Sequence, residues 1–167
     1  VSAPIRLALI GMGKIAHDQH VPAIAGEPAI ALAATVSRNG EGVEGVPHFH
    51  DIADLIASGQ GIDAVALCTP PQVRRAIAMQ AIQAGWHVFL EKPPGATLAE
   101  VANLESAARA AGVTLFASWH SRYAPGVEPA RVEDPRLARV PDANVLAPRH
   151  RHPVDPRVGQ CGADRPG

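Results

Sequence analysis

Residues 5–16 read I-R-L-A-L-I-G-M-G-K-I-A, a short apolar run, a glycine turn and the opening of a helix. Ile5, Leu7, Leu9 and Ile10 supply a strand buried in a parallel sheet. Gly11 allows the tight turn, and Gly13 has no side chain to hold the backbone away from a pyrophosphate. Ala16 lets the helix approach the strand closely, and the helix N-terminus offers free N–H groups to phosphates. The spacing G-x-G-x-x-A alone also fits a plain strand–turn–helix. Its place at the head of a repeating β/α pattern points instead to dinucleotide binding.

That pattern continues to about residue 120. Lys14–Ile24 reads as a helix that Pro22 kinks or ends. Ile30–Ser37 is a second strand, followed by a Gly-rich loop over Asn39–Pro47 and a short helix over Asp51–Ser58. Ala64–Cys68 is a continuous apolar run, as a central parallel strand requires. Pro71 suits the start of the next helix, with Val73, Ile77, Ala81 and Ala84 along one side and Gly85 at its end. His87–Leu90 is the fourth strand. Thr97 and Glu100 have the spacing of a capping box, and Val101, Leu104, Ala108 and Ala111 follow at helical spacing up to Gly112. Val113–Trp119 is a fifth strand. The succession predicts an α/β fold, a doubly wound parallel sheet over residues 1–125.

Composition narrows the function. A chain of 167 residues holds one domain and at most a fragment of another. The formal net charge of −1 gives no electrostatic case for nucleic acid or an anionic membrane. No apolar stretch approaches the roughly 20 residues that span a bilayer, and no secretory leader pattern opens the sequence. Two cysteines, Cys68 and Cys161, form no disulfide framework and suit a reducing cytoplasm. From Arg131 to Gly167 the 37 residues include seven Arg and six Pro but no Ile, Phe, Tyr, Trp, Met, Ser, Thr or Lys. Such a segment buries too little apolar surface to offset its ordering entropy, so residues 126–167 are expected to be a mostly irregular Pro/Arg-rich tail. A natural tail and an out-of-frame reading of a GC-rich gene both give this mixture, and the second is the reading preferred here.

Chemistry concentrates in Glu91-Lys92-Pro93, directly after the fourth strand. Ligands of such sheets bind beyond the carboxyl ends of the strands, so Lys92 projects toward the cofactor crevice. A lysine there hydrogen-bonds a substrate hydroxyl and lowers the energy of the alkoxide that forms as hydride leaves. A surface Lys–Glu pair is the bland alternative. At the end of the second strand, Ser37-Arg38 stands where an acidic residue would bind both ribose hydroxyls and repel a 2′-phosphate. A hydroxyl followed by a guanidinium favours NADP and tolerates NAD, while an exposed loop arginine is the alternative. His17 and His20 lie one turn apart without the partner ligands of a metal site, and no metal is expected. Cys68, in an apolar strand, reads as a packed thiol and not a nucleophile.

Together, G-M-G-K-I-A at 11–16, C-T-P-P at 68–71 and E-K-P-P at 91–94 resemble the glucose–fructose oxidoreductase/inositol dehydrogenase (Gfo/Idh/MocA) family from about residue 4 to 130. A-H-D-Q-H-V-P-A-I at 16–24, E-K-P-P-G-A-T-L at 91–98 and W-H-S-R at 119–122 resemble its bacterial L-arabinose/D-galactose 1-dehydrogenase branch. The resemblance implies a Rossmann-like fold and NAD(P)-dependent oxidation of an aldose at its anomeric carbon to the lactone. It places Gly11, Gly13, Lys14 and Ile15 around the pyrophosphate and Cys68, Thr69 and Pro70 on the nicotinamide-ribose side. Glu91 and Lys92 would lie at the ribose and the reacting carbon, and Trp119 and His120 against the sugar. Packing of Trp119 on a second domain is the alternative for that end. Relatives carry a second α/β domain that supplies most sugar contacts and a homo-oligomer interface, and nothing after residue 130 resembles it. Many relatives carry a histidine where Arg74 stands here, and Arg74 reads as a solvated helix residue. Three readings stay open: an aldose 1-dehydrogenase, another oxidoreductase of the family acting on inositol or an amino sugar, and a non-catalytic nucleotide-binding module.

Overall fold

The structure, a computed structural model, describes residues 3–39 and 41–119, together with 125, 129 and 145–147. Six parallel strands are laid out from the middle outward: β1 (Ile5–Ile10), β2 (Ile30–Val36), β3 (His48–Phe49), β4 (Ala64–Leu67), β5 (His87–Leu90) and β6 (Leu115–Ala117). A short strand β7 (Val145–Ala147) closes one edge, giving the order β3-β2-β1-β4-β5-β6-β7. β1 pairs with both β2 and β4, so the strand order reverses beside it. A crevice opens at that reversal in doubly wound sheets.

Alternate residues of the strands point to opposite faces, and each face has its own core. Ala8, Ile10, Val65, Leu67, Val88 and Leu90 pack against three helices: α2 (Ile52–Ala57), α3 (Pro71–Gln83) and α4 (Leu98–Ala111). Leu9 and Ala66 turn the other way, onto Ala16 and Val21 of the first helical segment. Leu9, Leu55, Leu67, Leu90, Leu104 and Leu115 are fully buried. Truncating any one to alanine costs about 2–5 kcal/mol, a large part of a domain's net stability.

Helix ends follow side-chain chemistry. The Asp51 carboxylate caps α2 through the Asp54 N–H at 2.9 Å. Thr97 Oγ1 accepts from the Glu100 N–H at 3.2 Å, as the capping box requires, but Glu100 reaches back to the Ala96 N–H at 2.8 Å, one residue earlier than the reciprocal pattern. Gly112 ends α4 with φ of 68°, where a side chain would be strained.

Four segments add detail to that pattern. Pro22 does not end its helix: a π-helical turn over Ala16–His20 runs into α1 (Val21–Ala25), with the Val21 N–H bonded to the Ala16 carbonyl. The wider turn accommodates a proline that lacks the next donor. His48, which lies between the Gly-rich loop and the helix read from Asp51, begins β3 and sits 2.9 Å from Thr35 Oγ1 through Nδ1. On α3 the buried stripe is Arg74, Ala78, Ala81 and Ile82, while Val73 is exposed. Within the segment expected to be mostly irregular, the described residues Val145–Ala147 form β7, antiparallel to β6.

Candidate functional site

The glycine turn ties three strand ends together. The Gly11 N–H donates to the Val36 carbonyl at 2.9 Å, linking β1 to the end of β2. Gly11 has φ of 93°, and a Cβ there would stand 2.9 Å from the Thr69 backbone nitrogen and 3.0 Å from the Cys68 carbonyl carbon. Only glycine fits both the conformation and the approach of the loop after β4. At Gly13 a Cβ would meet nothing within 4 Å, so the backbone faces open space. The Gly13 carbonyl accepts from the N–H groups of Ala16 and His17 at 3.0 and 3.2 Å. The N–H groups of Gly13, Lys14 and Ile15 find no acceptor among the described residues. Lys14 is exposed and paired with Asp18 one turn on; Ile15 is exposed.

From this turn a cleft of about 660 Å³ runs over the carboxyl ends of β1, β2 and β4. Gly11, Ser37, Arg38, Thr69 and Pro70 line it, with Val73 on its α3 wall. The exposure of Val73 is thereby explained: it serves the cleft and not the core. Ser37 Oγ accepts from the Asn39 N–H at 3.3 Å, which leaves its own hydrogen available to a ligand. Arg38 is exposed and has no hydrogen-bond or ionic partner among the described residues. His50, unassigned from sequence, lines the same cleft.

The loop after β5 is polar and heavily bonded. Glu91 Oε1 lies 2.9 Å from His20 Nε2, and Oε2 accepts from the Lys92 N–H at 3.1 Å and the Ser118 hydroxyl at 3.2 Å. Burial pushes the Glu91 carboxyl upward, but the bonds from His20, Lys92 and Ser118 and the charge of His20 outweigh it, holding its pKa below the usual carboxylate range. His20 also meets Phe89 edge-on, with centroids 5.7 Å apart. Its role is therefore to hold Glu91, across 71 residues of sequence. Lys92 is exposed, its ammonium unpaired among the described residues, and its bond to Pro93 is cis.

Arg74 overturns its sequence reading. It is 3% exposed, with its guanidinium bonded to the carbonyls of Thr69, Glu91 and Pro93. A helix residue facing inward at the spacing of Ala78 and Ala81 could have been suspected of burial; its acceptors come from distant loops that local pattern does not reveal. Burial pushes the Cys68 thiol up to about 12, with the nearby Glu91 charge adding and Arg74 opposing. Cys68 stays protonated at neutral pH and is not a nucleophile. Trp119 stands beyond β6 and is 59% exposed, while His120 lies outside the described residues.

A parallel sheet in this order, a glycine turn on its first strand and a cleft over the strand ends define a Rossmann-type nucleotide-binding domain. Residues 5–118 match the family described as "Oxidoreductase family, NAD-binding Rossmann fold" (Gfo/Idh/MocA), and the chain belongs to it. It is 52% identical over 99 residues to the galactose 1-dehydrogenase of Pseudomonas fluorescens, covering 59% of this chain and 32% of that protein. It is similar to the crystal structure of D-galactose-1-dehydrogenase from Rhizobium etli, with 53% identity and a TM-score of 0.75, over 80% of this chain and 43% of that one. The WlbA dehydrogenase of Bordetella pertussis, solved with NADH and UDP-GlcNAcA, is 28% identical with a TM-score of 0.70, over 78% of this chain and 42% of that one. The chain thus spans from about a third to less than half of these relatives. Among the described residues no helix is long and apolar enough to cross a membrane.

Proposed function

We propose that the chain is the cofactor-binding part of an NAD(P)-dependent aldose dehydrogenase that oxidises a sugar of the D-galactose/L-arabinose type at its anomeric carbon. One observation carries the reading: Gly11 of the glycine turn, Ser37-Arg38 and Thr69-Pro70 line a single cleft. The donor set fits a dinucleotide. Unpaired N–H groups at Gly13, Lys14 and Ile15 suit a pyrophosphate, and open space at Gly13 lets it approach.

When bound, the nicotinamide supplies the hydride acceptor. Lys92 would donate a hydrogen bond to the anomeric oxygen and stabilise its charge as the hydroxyl proton passes to solvent water, while the C–H hydrogen would leave with its electron pair as hydride to that acceptor and the carbon would become the lactone carbonyl. Glu91, held as a carboxylate, fixes the backbone at Lys92 through its N–H. Trp119 offers an apolar wall on the sugar side, next to His120. The test is a panel of aldoses and inositol with NADP, followed through reduced nicotinamide. D-Galactose and L-arabinose are expected to lead; preferential oxidation of inositol would overturn the substrate assignment, and cofactor binding with no turnover would leave a nucleotide-binding module.

For the cofactor, Ser37 and Arg38 favour NADP. Arg38 is free to pair with a 2′-phosphate, and the carboxylate that shares the cleft lining, Asp51, accepts from the Asp54 N–H as the cap of α2. Arg38→Ala is expected to weaken NADPH by about 10–100-fold, the worth of a charged hydrogen bond, and NADH by less than about twofold. Titration of both cofactors decides; equal losses would remove the preference.

A further inference from the structure

Two loops meet on one buried cation. Arg74 sits in the first turn of α3. Its Nη1 donates to the carbonyls of Glu91 and Pro93, and its Nη2 to the carbonyl of Thr69. The first two acceptors belong to the residues immediately before and after Lys92. The third belongs to the residue whose backbone nitrogen closes on Gly11. One guanidinium therefore grips the chain on both sides of Lys92 and fastens it to the loop beside the glycine turn. The Lys92 ammonium itself is left unpaired among the described residues.

This is a poor device for stability alone. Burial disfavours the Arg74 charge more than the nearby Glu91 carboxylate favours it, and an apolar residue of similar volume often fills such a space at no greater cost. The Nε–H is moreover buried without a partner among the described residues. A planar head with donors in a fixed fork does, however, set the distance and rotation between two loops, which a point-charge ammonium does not.

We propose that Arg74 is a positioning residue, holding the backbone around Lys92 against the Thr69 loop so that the Lys92 ammonium meets the nicotinamide end of a bound dinucleotide. The inference rests on the role proposed for Lys92 above. It extends the site to a residue that touches neither cofactor nor sugar.

The sequence has only two lysines, Lys14 and Lys92, so reductive methylation read by mass spectrometry reports on each. Wild type, Arg74→Met and Arg74→Lys would be methylated with and without NADPH, alongside NADPH titration and thermal unfolding. At about ten times Kd, NADPH is expected to slow methylation of Lys92 in wild type about tenfold, since about a tenth of the sites stay free. In Arg74→Met that protection is expected to fall below about twofold while Kd changes by less than about threefold. Arg74→Lys keeps a cation that reaches one loop but not both, and restores part of the protection. Lys14 stays protected in all three, marking the cofactor as bound. Full protection of Lys92 in the folded variants would overturn the positioning role and leave the Lys92 assignment standing. If Arg74→Met fails to fold, Arg74→Lys decides alone, and full protection there overturns the proposal. A wild type that binds NADPH without protecting Lys92 would overturn the Lys92 assignment, and the role of Arg74 with it.

Discussion

If the proposed activity holds, Lys92→Ala is expected to lower kcat for D-galactose by about 100–1,000-fold, the range for loss of a donor that stabilises developing negative charge. NADPH affinity should change little, because the cleft residues proposed to hold the cofactor are untouched. The ammonium is exposed at the end of β5, and no described residue competes for it. It is thus available to an incoming hydroxyl. Removing it takes away an interaction that strengthens as negative charge grows on that oxygen, so the loss falls on kcat more than on KM. Steady-state kinetics with NADP separates the two. A variant that keeps most of its kcat would show that another group stabilises that oxygen.

Gly11→Val is expected to eliminate detectable NADPH binding and to destabilise the fold by about 3 kcal/mol or more, from backbone strain together with overpacking. A Cβ at this φ of 93° would press on the Thr69 nitrogen and Cys68 carbonyl carbon, both main-chain atoms that cannot rotate away. Either the turn or the loop after β4 must move, and both line the proposed nucleotide cleft. For a domain of this size such a loss lowers Tm by roughly 6–12 °C. Gly13→Ala, where a Cβ meets open space, should leave Tm nearly unchanged. Comparing the two by thermal unfolding separates crowding by the protein from crowding of a ligand. Equal Tm for Gly11→Val and wild type would contradict the packing argument.

Local pattern made much of this architecture legible. β1 and its glycine turn, the apolar run of β4, and α3 opening at Pro71 all follow from periodicity and from glycine and proline punctuation. Thr97 announced its own cap. The residues that escaped did so for definite reasons. β3 is two residues long and carries no period to detect. An arginine on a buried face looks in sequence like one in water; what distinguishes Arg74 is three carbonyls delivered by turns five to nineteen residues away. Val73 looked like core because it is apolar, whereas the structure spends it on the cleft. The pairing of His20 with Glu91 joins residues 71 apart and depends on the sheet order, not on any local motif. Residues singled out in the sequence thus separate by geometry: Gly11, Ser37, Arg38, Thr69 and Pro70 share one cleft, while the backbone on either side of Lys92 is tied to the Thr69 loop through Arg74.

The central claim, a dinucleotide seated on the Gly11 turn, is tested most directly by calorimetric titration of the chain with NADPH and with NADH. The account predicts saturable one-to-one binding below about 1 mM, tighter for NADPH, and its loss in Gly11→Val. Absence of binding by either cofactor to folded wild-type protein at millimolar concentration would contradict it.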